Sequence, residues 1–188
     1  MRRVAIGAVA TFALVAASCS ADLGVEPICS QPDDPVMVLE AQSVPTATHL
    51  PCLAELPIGW TFSGILVDDT GTTLWLDHDR AGFQALEVEL TTSCDTSSGV
   101  EVPPSPDELG MLVFQEPTSL DPYTGTRSLT FEGGCIVYRY RFAQDSEPAL
   151  VTEADRAVSS VSRASVVSSV ERDLDLSVCG AGAPDCAG

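Results

Sequence analysis

The sequence predicts an α+β fold, in which a curved antiparallel sheet of six or seven strands packs around one C-terminal helix. Between residues 36 and 143, short segments rich in Val, Leu, Thr and aromatic residues alternate with turns that contain Gly, Pro and Asp. Such short, closely spaced segments are typical of antiparallel strands. From residue 152 onward, the apolar residues recur at a spacing closer to that of a helix, and this stretch supplies the predicted helix.

The chain begins with a pattern that is typical of an exported protein. Arg2 and Arg3 precede an apolar, uncharged run that extends from Val4 to Ala17. A run of this length is too short for a permanent membrane helix, which needs about 20 residues. A basic start, a short apolar stretch and small residues at its end predict a cleaved secretory signal.

The end of this segment resembles the lipobox of bacterial lipoproteins. Its residues are Ala16-Ala17-Ser18-Cys19, with Ala16 at the position where Leu is most common. The resemblance implies that Cys19 is lipidated and becomes the N-terminus. Two acyl chains, such as palmitate, hold a protein stably on a membrane. The alternative is ordinary cleavage, for example after Ala21, which would give a freely secreted protein.

The domain organisation follows from these signals and from the composition. We expect a signal peptide over residues 1–18, a polar tether over 19–35, one α+β domain over 36–176 and a Gly- and Ala-rich tail over 177–188. A mature chain of about 170 residues suits one domain with a single core. No later stretch is apolar enough to span a membrane, so the lipid would be the anchor.

The sequence contains seven cysteines. Lipidation of Cys19 leaves six, as does cleavage after Ala21, and an even number outside the cytoplasm favours disulfides. A zinc site is disfavoured, because no Cys-x-x-Cys pair occurs. We expect each cysteine to pair with its nearest neighbour in the sequence, which gives Cys29–Cys52, Cys94–Cys135 and Cys179–Cys186.

The strands are predicted where apolar and β-branched residues cluster between turn residues. Asp68-Asp69-Thr70-Gly71 and Asp79-Arg80-Ala81-Gly82 are the predicted hairpin turns. Pro103-Pro104-Ser105-Pro106 predicts a rigid surface loop, because proline cannot donate a ladder hydrogen bond. The predicted strands are Val36–Ala41, Trp60–Val67, Thr72–Asp77, Phe83–Thr91, Leu109–Gln115, Arg127–Phe131 and Ile136–Ala143.

One long helix is predicted near the C-terminus. Thr152-Glu153-Ala154-Asp155 has the Thr-x-x-Asp spacing of a capping box, and the helix is expected to extend to about Arg172. A stripe of apolar residues with a spacing of three winds around a helix that has 3.6 residues per turn. Such a stripe favours a helix surrounded by a curved sheet. Its residues are Val158, Val161, Ala164, Val167 and Val170.

The composition excludes one class of partner. Without Arg2 and Arg3, seven basic residues remain against 27 acidic ones, and none of the basic residues is Lys. The net charge is therefore near −20, and no basic stripe occurs. Both features disfavour binding to nucleic acid. The expected surface is acidic and well solvated.

No segment carries a motif that identifies a catalytic or metal-binding site. The segment from Asp77 to Gly82 opens like a calcium loop, but Ala81 and Val88 stand where ligands are required, so a hairpin turn accounts for it. His49 and His78 are the only histidines available as bases, and we expect neither to be needed for folding. No Gly-x-Ser-x-Gly, His-Glu-x-x-His or phosphate-binding Gly loop occurs. We therefore assign no catalytic residue, metal or cofactor.

One surface is a candidate for contacts with a partner. In the last predicted strand, Tyr138 and Tyr140 share a face with apolar residues, which favours a place in the core. The other face carries two arginines, which we expect to pair across the sheet with two glutamates of a neighbouring strand. The candidate surface comprises Trp75, Asp77, Glu87, Glu89, Arg139 and Arg141.

Three short segments are similar to segments of uncharacterised envelope lipoproteins of actinobacteria. They are Leu56-Pro57-Ile58-Gly59-Trp60, Asp77-His78-Asp79-Arg80-Ala81-Gly82 and Phe131-Glu132-Gly133-Gly134-Cys135. The resemblance would extend from about Cys29 to Val170 and consists mostly of turn residues. It implies no activity and no catalytic residue.

These observations favour a lipid-anchored protein at the extracytoplasmic face of the cell membrane. We expect a module that binds a small ligand or an envelope protein without catalysis; the alternative is a small hydrolase that acts on envelope polymers. An apolar cavity between sheet and helix would favour the binding module. A pocket that joins His49 or His78 to a carboxylate and a serine would favour the hydrolase.

Overall fold

A computed structural model describes residues 21–116, 119–120, 122–144, 146 and 149–179, and the structural statements that follow concern those residues. They include eleven β-strands, three α-helices and a short 3₁₀ turn. In chain order these are β1 (Ala21–Leu23), α1 (Pro35–Ser43), β2 (His49–Leu53), β3 (Trp60–Val67), β4 (Thr72–His78), β5 (Gly82–Thr91), β6 (Val100–Val102), the 3₁₀ turn (Pro106–Glu108), β7 (Leu112–Gln115), β8 (Ser119–Leu120), β9 (Tyr123–Phe131), β10 (Gly134–Arg141), α2 (Ala149–Ala157), β11 (Val158–Ser162) and α3 (Arg163–Leu174).

Nine of the strands form one antiparallel sheet. Eight of them lie in the order β1-β3-β4-β5-β10-β9-β7-β6, and β8 forms a short hairpin with β9. The tight turns after Val67 and His78 place β3, β4 and β5 side by side. The other two strands, β2 and β11, pair antiparallel in a separate small sheet.

The core lies between the large sheet and a layer formed by the small sheet and the helices. α1 contacts β2, β3 and α3, while α2 and α3 both contact β11. Leu74, Val88 and Tyr138 stand opposite one another in the register of β4, β5 and β10. All three side chains are buried, so they mark the inner face of the large sheet.

The predicted fold class is confirmed in part. The protein is α+β and its strands are mostly antiparallel. The prediction of one sheet curved around a single C-terminal helix is wrong. Two sheets and three helices share the core. Because β2 contacts both β5 and β10, the small sheet takes much of the place that the prediction gave to the helix.

The first predicted strand, Val36–Ala41, is wrong, because this segment belongs to α1. Asp34 caps the helix by accepting a hydrogen bond from the Val36 amide at 3.0 Å. Pro35 suits the first helical position, where an amide hydrogen is not needed. A short, mostly apolar segment does not by its periodicity distinguish a buried helix from a strand. The buried residues follow helical spacing: Val36, Met37, Glu40 and Ala41.

The predicted helix from Thr152 to Arg172 is wrong as a single element. α2 ends at Ala157, β11 follows and pairs with β2, and α3 begins after its N-cap Ser162. Val158 therefore belongs to a strand, and the stripe with a spacing of three is not a stripe on one helix. The predicted capping box is also wrong, because Thr152 lies inside α2.

The other predicted strands are confirmed, with changed ends at most of them. Trp60–Val67 is β3 without change, and the strands predicted near Thr72, Phe83, Leu109, Arg127 and Ile136 are β4, β5, β7, β9 and β10. Residues 103–105 form the predicted loop before the 3₁₀ turn. The strands that were not predicted, β1, β2, β6, β8 and β11, have at most five residues each.

Two of the three predicted disulfides are confirmed. Cys29–Cys52 joins the segment before α1 to β2, and Cys94–Cys135 joins the segment after β5 to β10. Cys179 is also disulfide-bonded, while Cys186, the partner predicted for it, lies outside the described residues. Disulfides are typical of proteins outside the cytoplasm.

The beginning of the described chain is part of the large sheet. β1 lies within the predicted tether and pairs with β3, with Ala21 opposite Val67 and Leu23 opposite Ile65. The predicted signal peptide and Cys19 lie outside the described residues. Among the helices of the described chain, none is long and apolar enough to cross a membrane.

Candidate functional site

A cavity of about 380 Å³ lies between the inner face of the large sheet and α2. This volume falls within the range of small-molecule sites. β9 and β10 form one wall, and α2, β11 and the 3₁₀ turn form the other. We call it the α2 cavity and define it by Glu108, Arg127, Tyr138, Thr152, Asp155 and Ser160.

Arg127 stands at the centre of the charges in the α2 cavity. It is paired in register with Tyr138, so it occupies an inner-face position of β9. Its Nη2 donates a hydrogen bond to Glu108 at 2.8 Å, and its Nη1 donates one to Asp155 at 3.1 Å. Asp155 also accepts a hydrogen bond from the Tyr140 hydroxyl. The network therefore joins two strands of the sheet to α2 and to the 3₁₀ turn.

The network is largely shielded from water. Glu108 is 8% exposed, and the side chain of Arg127 is 13% exposed. Burial raises the pKa of Asp155, although hydrogen bonds from Tyr140 and Arg127 oppose this effect. Burial alone would lower the pKa of Arg127, but the nearby carboxylates of Asp155 and Glu108 more than compensate and raise it. The guanidinium is therefore a fixed positive charge inside the protein.

Two polar groups of the α2 cavity are not paired. The buried Nε of Arg127 has no hydrogen-bond partner among the described residues. Burial raises the pKa of Tyr138, so its hydroxyl keeps its proton, and this hydroxyl makes no hydrogen bond to a described residue. Buried polar groups without a partner are uncommon in folded proteins. The Nε of Arg127 has almost no accessible surface, so of these two groups the Tyr138 hydroxyl is the one that a polar ligand in the cavity can reach.

The sequence did not identify this site. Glu108 and Asp155 are 19 and 28 residues from Arg127 in the chain, so no local motif connects the three. One signal was present in β9, where alternation places Arg127 on the same face as the buried Leu129. Asp155 was instead assigned to the capping box, and the structure corrects that assignment.

Five residues of the candidate contact surface form a cluster of ion pairs and hydrogen bonds on the outer face of the sheet, and Asp77 is not bonded to it. Arg139 lies 2.9 Å from Glu87 and 2.5 Å from Glu89, and Arg141 lies 3.4 Å from Glu87. The indole of Trp75 donates a hydrogen bond to Glu87 at 3.2 Å. The two arginines thus balance the two glutamates, which leaves few free charges for a partner.

Asp77, the next-to-last residue of β4, is not bonded to the described residues of this cluster. Its carboxylate accepts a hydrogen bond from the Gln84 amide at 2.8 Å. The next residue, His78, is 3% exposed, and its Nδ1 accepts hydrogen bonds from the amides of Arg80 at 3.1 Å and Ala81 at 3.0 Å. His78 therefore stabilises the turn, which is at odds with the expectation that folding needs neither histidine.

The described side chains of the calcium-like segment Asp77–Gly82 do not form a metal-binding cluster. Within the described part of the chain, no group of three or more His, Cys, Asp or Glu side chains is arranged to hold a metal ion. The carboxylate of Asp77 is bonded within the turn, and that of Asp79 is 67% exposed. The segment is a hairpin turn, as its Asp and Gly residues predict.

A second cavity, a groove of about 690 Å³ beside α3, contains His49. Ser162 stands opposite His49 in the register of β2 and β11, and the carboxylates of Glu132 and Glu171 also line the groove. Burial lowers the pKa of His49, so its ring is mostly neutral at pH 7. The Ser162 hydroxyl accepts a hydrogen bond from the Ser165 amide at 3.2 Å as the N-cap of α3. In the described structure, it is not hydrogen-bonded to His49.

Comparison with known proteins identifies no relative. No family model, no curated protein and no solved structure matches the chain. The geometry of the α2 cavity, the outer cluster and the groove is therefore the basis for assigning a function.

Proposed function

We propose that the protein is a lipid-anchored module at the extracytoplasmic face of the cell membrane, where it binds a small polar ligand in the α2 cavity. The observation that carries this proposal is the Arg127 network. A buried guanidinium is held in a cavity wall by two carboxylates, and the hydroxyl of Tyr138, its neighbour in register, makes no hydrogen bond to a described residue.

A contribution to stability does not by itself explain why a buried charge network is present in this core. A buried ion pair loses much of its Coulomb attraction to the cost of desolvating both charges, and apolar residues of similar volume often stabilise a core as well or better. Arg127 and Asp155 also leave a cavity rather than filling it. A polar cavity with fixed charges is, by contrast, what a specific binding site requires.

The Ala54→Phe variant tests the α2 cavity as the binding site. Ala54 is exposed and lies in the cavity lining, so a phenyl ring there should fill the opening without disturbing the core. A library of small neutral, anionic and cationic compounds is screened for an increase in melting temperature. Compounds that stabilise the wild type should not stabilise Ala54→Phe. If every stabilising compound acts equally on both proteins, the ligand does not bind in this cavity.

The Cys19→Ala variant tests the location. The signal segment, the lipobox and the disulfides support export, and the acyl chains on Cys19 would supply the attachment. The variant should leave the membrane fraction or accumulate with its signal uncleaved. A variant that is processed normally and remains on the membrane would exclude the lipid anchor.

A hydrolase is the second candidate, because the groove beside α3 brings His49, Ser162 and two carboxylates together. The cap bond of Ser162 weighs against it, since a nucleophile is normally bonded to its base. Release of p-nitrophenol from p-nitrophenyl acetate provides a test. Activity that is lost in both His49→Ala and Ser162→Ala, but not in Ser165→Ala, would establish the hydrolase.

A further inference from the structure

The chemistry of the α2 cavity limits the ligands that it can bind, and the argument rests on the function proposed above. Hydroxyl groups are numerous in its wall, where Ser105, Thr152, Ser159 and Ser160 join the Tyr138 phenol. A hydroxyl both donates and accepts hydrogen bonds. The cavity therefore offers both kinds of partner at several points.

Anionic ligands are disfavoured by the charges that face the α2 cavity. Three carboxylates, those of Asp107, Glu108 and Asp155, face two guanidinium groups, those of Arg127 and Arg156. Arg127 already binds two of the carboxylates. The mature chain as a whole carries 27 acidic residues against seven basic ones, so its field repels anions at longer range.

Cationic ligands are disfavoured for the opposite reason. Glu108 and Asp155 are bonded to Arg127, and Asp107 accepts a hydrogen bond from the Ser105 hydroxyl at 2.8 Å. A cation would have to compete with Arg127 for these carboxylates and would approach Arg156 as well. A neutral ligand meets neither obstacle.

We propose that the α2 cavity binds a neutral saccharide unit, either as a free sugar or as part of an envelope polysaccharide. Sugar hydroxyls can donate hydrogen bonds to the remaining lone pairs of Glu108 and Asp107 and can accept them from Thr152 and Ser160. The carbon–hydrogen face of the sugar ring fits the apolar part of the wall, which Leu129 and Val158 provide. A volume of about 380 Å³ accommodates one such ring.

The test measures the affinity of the full chain, purified in mild detergent, by ligand-detected NMR. The neutral probes are glucose, galactose, mannose, N-acetylglucosamine and a tetrasaccharide of glucose, and the charged probes are glucuronate and glucosamine. At least one neutral probe should bind at least tenfold more tightly than both charged ones. A tetrasaccharide that binds while every free sugar fails would identify the polymer as the source of the ligand.

Two variants and a control place the sugar in the α2 cavity. The Thr152→Ala/Ser160→Ala double variant should bind the best neutral probe about tenfold more weakly, because two hydrogen bonds are lost. Ala54→Phe should abolish binding, whereas Ser168→Ala, in the groove beside α3, should leave it unchanged. Tighter binding of glucuronate or glucosamine that Ala54→Phe abolishes would overturn the claim that the ligand is neutral and keep the site. Binding of no probe would overturn the saccharide class alone, since the compound library decides the site separately. Binding that Ala54→Phe leaves intact would overturn both.

Discussion

Glu40 shows how much a single side chain can affect the stability of this core. It is completely buried on α1, and neither carboxylate oxygen has a hydrogen-bond partner among the described residues. Burial therefore raises its pKa well above the ordinary value. The folded state then holds this proton more tightly than the unfolded state. The contribution to stability is present in acid and is lost as pH rises through the folded-state pKa.

We predict that Glu40→Gln removes most of the loss of stability that the wild type shows as the pH rises above the ordinary pKa of a glutamate. Glu40→Leu should in addition raise the free energy of unfolding at the upper pH by about 1–3 kcal/mol, because no buried polar group is left unpaired. Urea denaturation at a series of pH values measures both effects. Glu101→Gln, on the exposed strand β6, is the control and should follow the wild type. Parallel pH curves for wild type and Glu40→Gln would contradict the prediction.

His78 contributes to stability through its Nδ1, which accepts two backbone hydrogen bonds, although its buried Nε2 has no partner among the described residues. We predict that His78→Ala lowers the free energy of unfolding by about 2–4 kcal/mol, since two backbone amides lose their acceptor and a buried ring is removed. His78→Asn should recover part of the loss, because an asparagine oxygen can accept the bond from the amide two residues on. His49→Ala, at a half-buried position, should cost only about 1 kcal/mol. Equal melting temperatures for the three variants would refute this assignment.

At the scale of elements, the sequence predicts best those elements whose conformation is determined by residues nearby in the chain. The turn between β3 and β4 is an example, because Asp68 accepts hydrogen bonds from the amides of Thr70 and Gly71 within the same segment. β11 is the contrary case. Its strand conformation depends on pairing with β2, where Val158 faces Leu53 from a distant part of the chain. Local periodicity carries no information about that partner, so the segment resembles a helix.

The dependence on local or distant residues also explains why the sequence predicted the charged cluster on the outer face of the sheet but not the α2 cavity. The outer cluster was predictable, because alternate residues of paired strands share a face and Arg139 stands opposite Glu87 in the register of β5 and β10. The α2 cavity was not, because it exists only after α2 and the 3₁₀ turn have packed on the sheet. Arg127 was detectable as an inward-facing charge, but its partners Glu108 and Asp155 were not.

Asp155 attaches α2 to the sheet, and removal of the Tyr140 hydroxyl should weaken this attachment. We predict that Tyr140→Phe lowers the free energy of unfolding by about 1.5–3 kcal/mol, because a hydrogen bond to a charged group is lost. The amides of α2 should exchange faster with deuterium, while those of β10 should not. Tyr138→Phe removes a hydroxyl without a hydrogen bond to a described residue and serves as the control. Uniform acceleration across the chain would contradict a local role.

At the scale of the whole molecule, the disulfides join segments that are distant in sequence. Their sequence separations are 23 residues for Cys29–Cys52 and 41 for Cys94–Cys135. We predict that replacing either pair with Ala lowers the free energy of unfolding by about 3–4 kcal/mol, with the larger loss for the longer loop. Urea denaturation of the two double variants measures this difference. Unfolding midpoints equal to that of the wild type would show that the cross-links do not restrict the unfolded chain.

If Cys19 carries a lipid, the pairing of β1 with β3 determines how far the domain can move from the membrane. Only one residue separates Cys19 from Ala21, and Ala21 is already held opposite Val67. The linker between the lipid and the sheet then spans two residues, roughly 7 Å when fully extended. The turn after Val67, which adjoins Ala21 in the sheet, then lies near the headgroups, and the domain samples only molecules that come to the membrane surface.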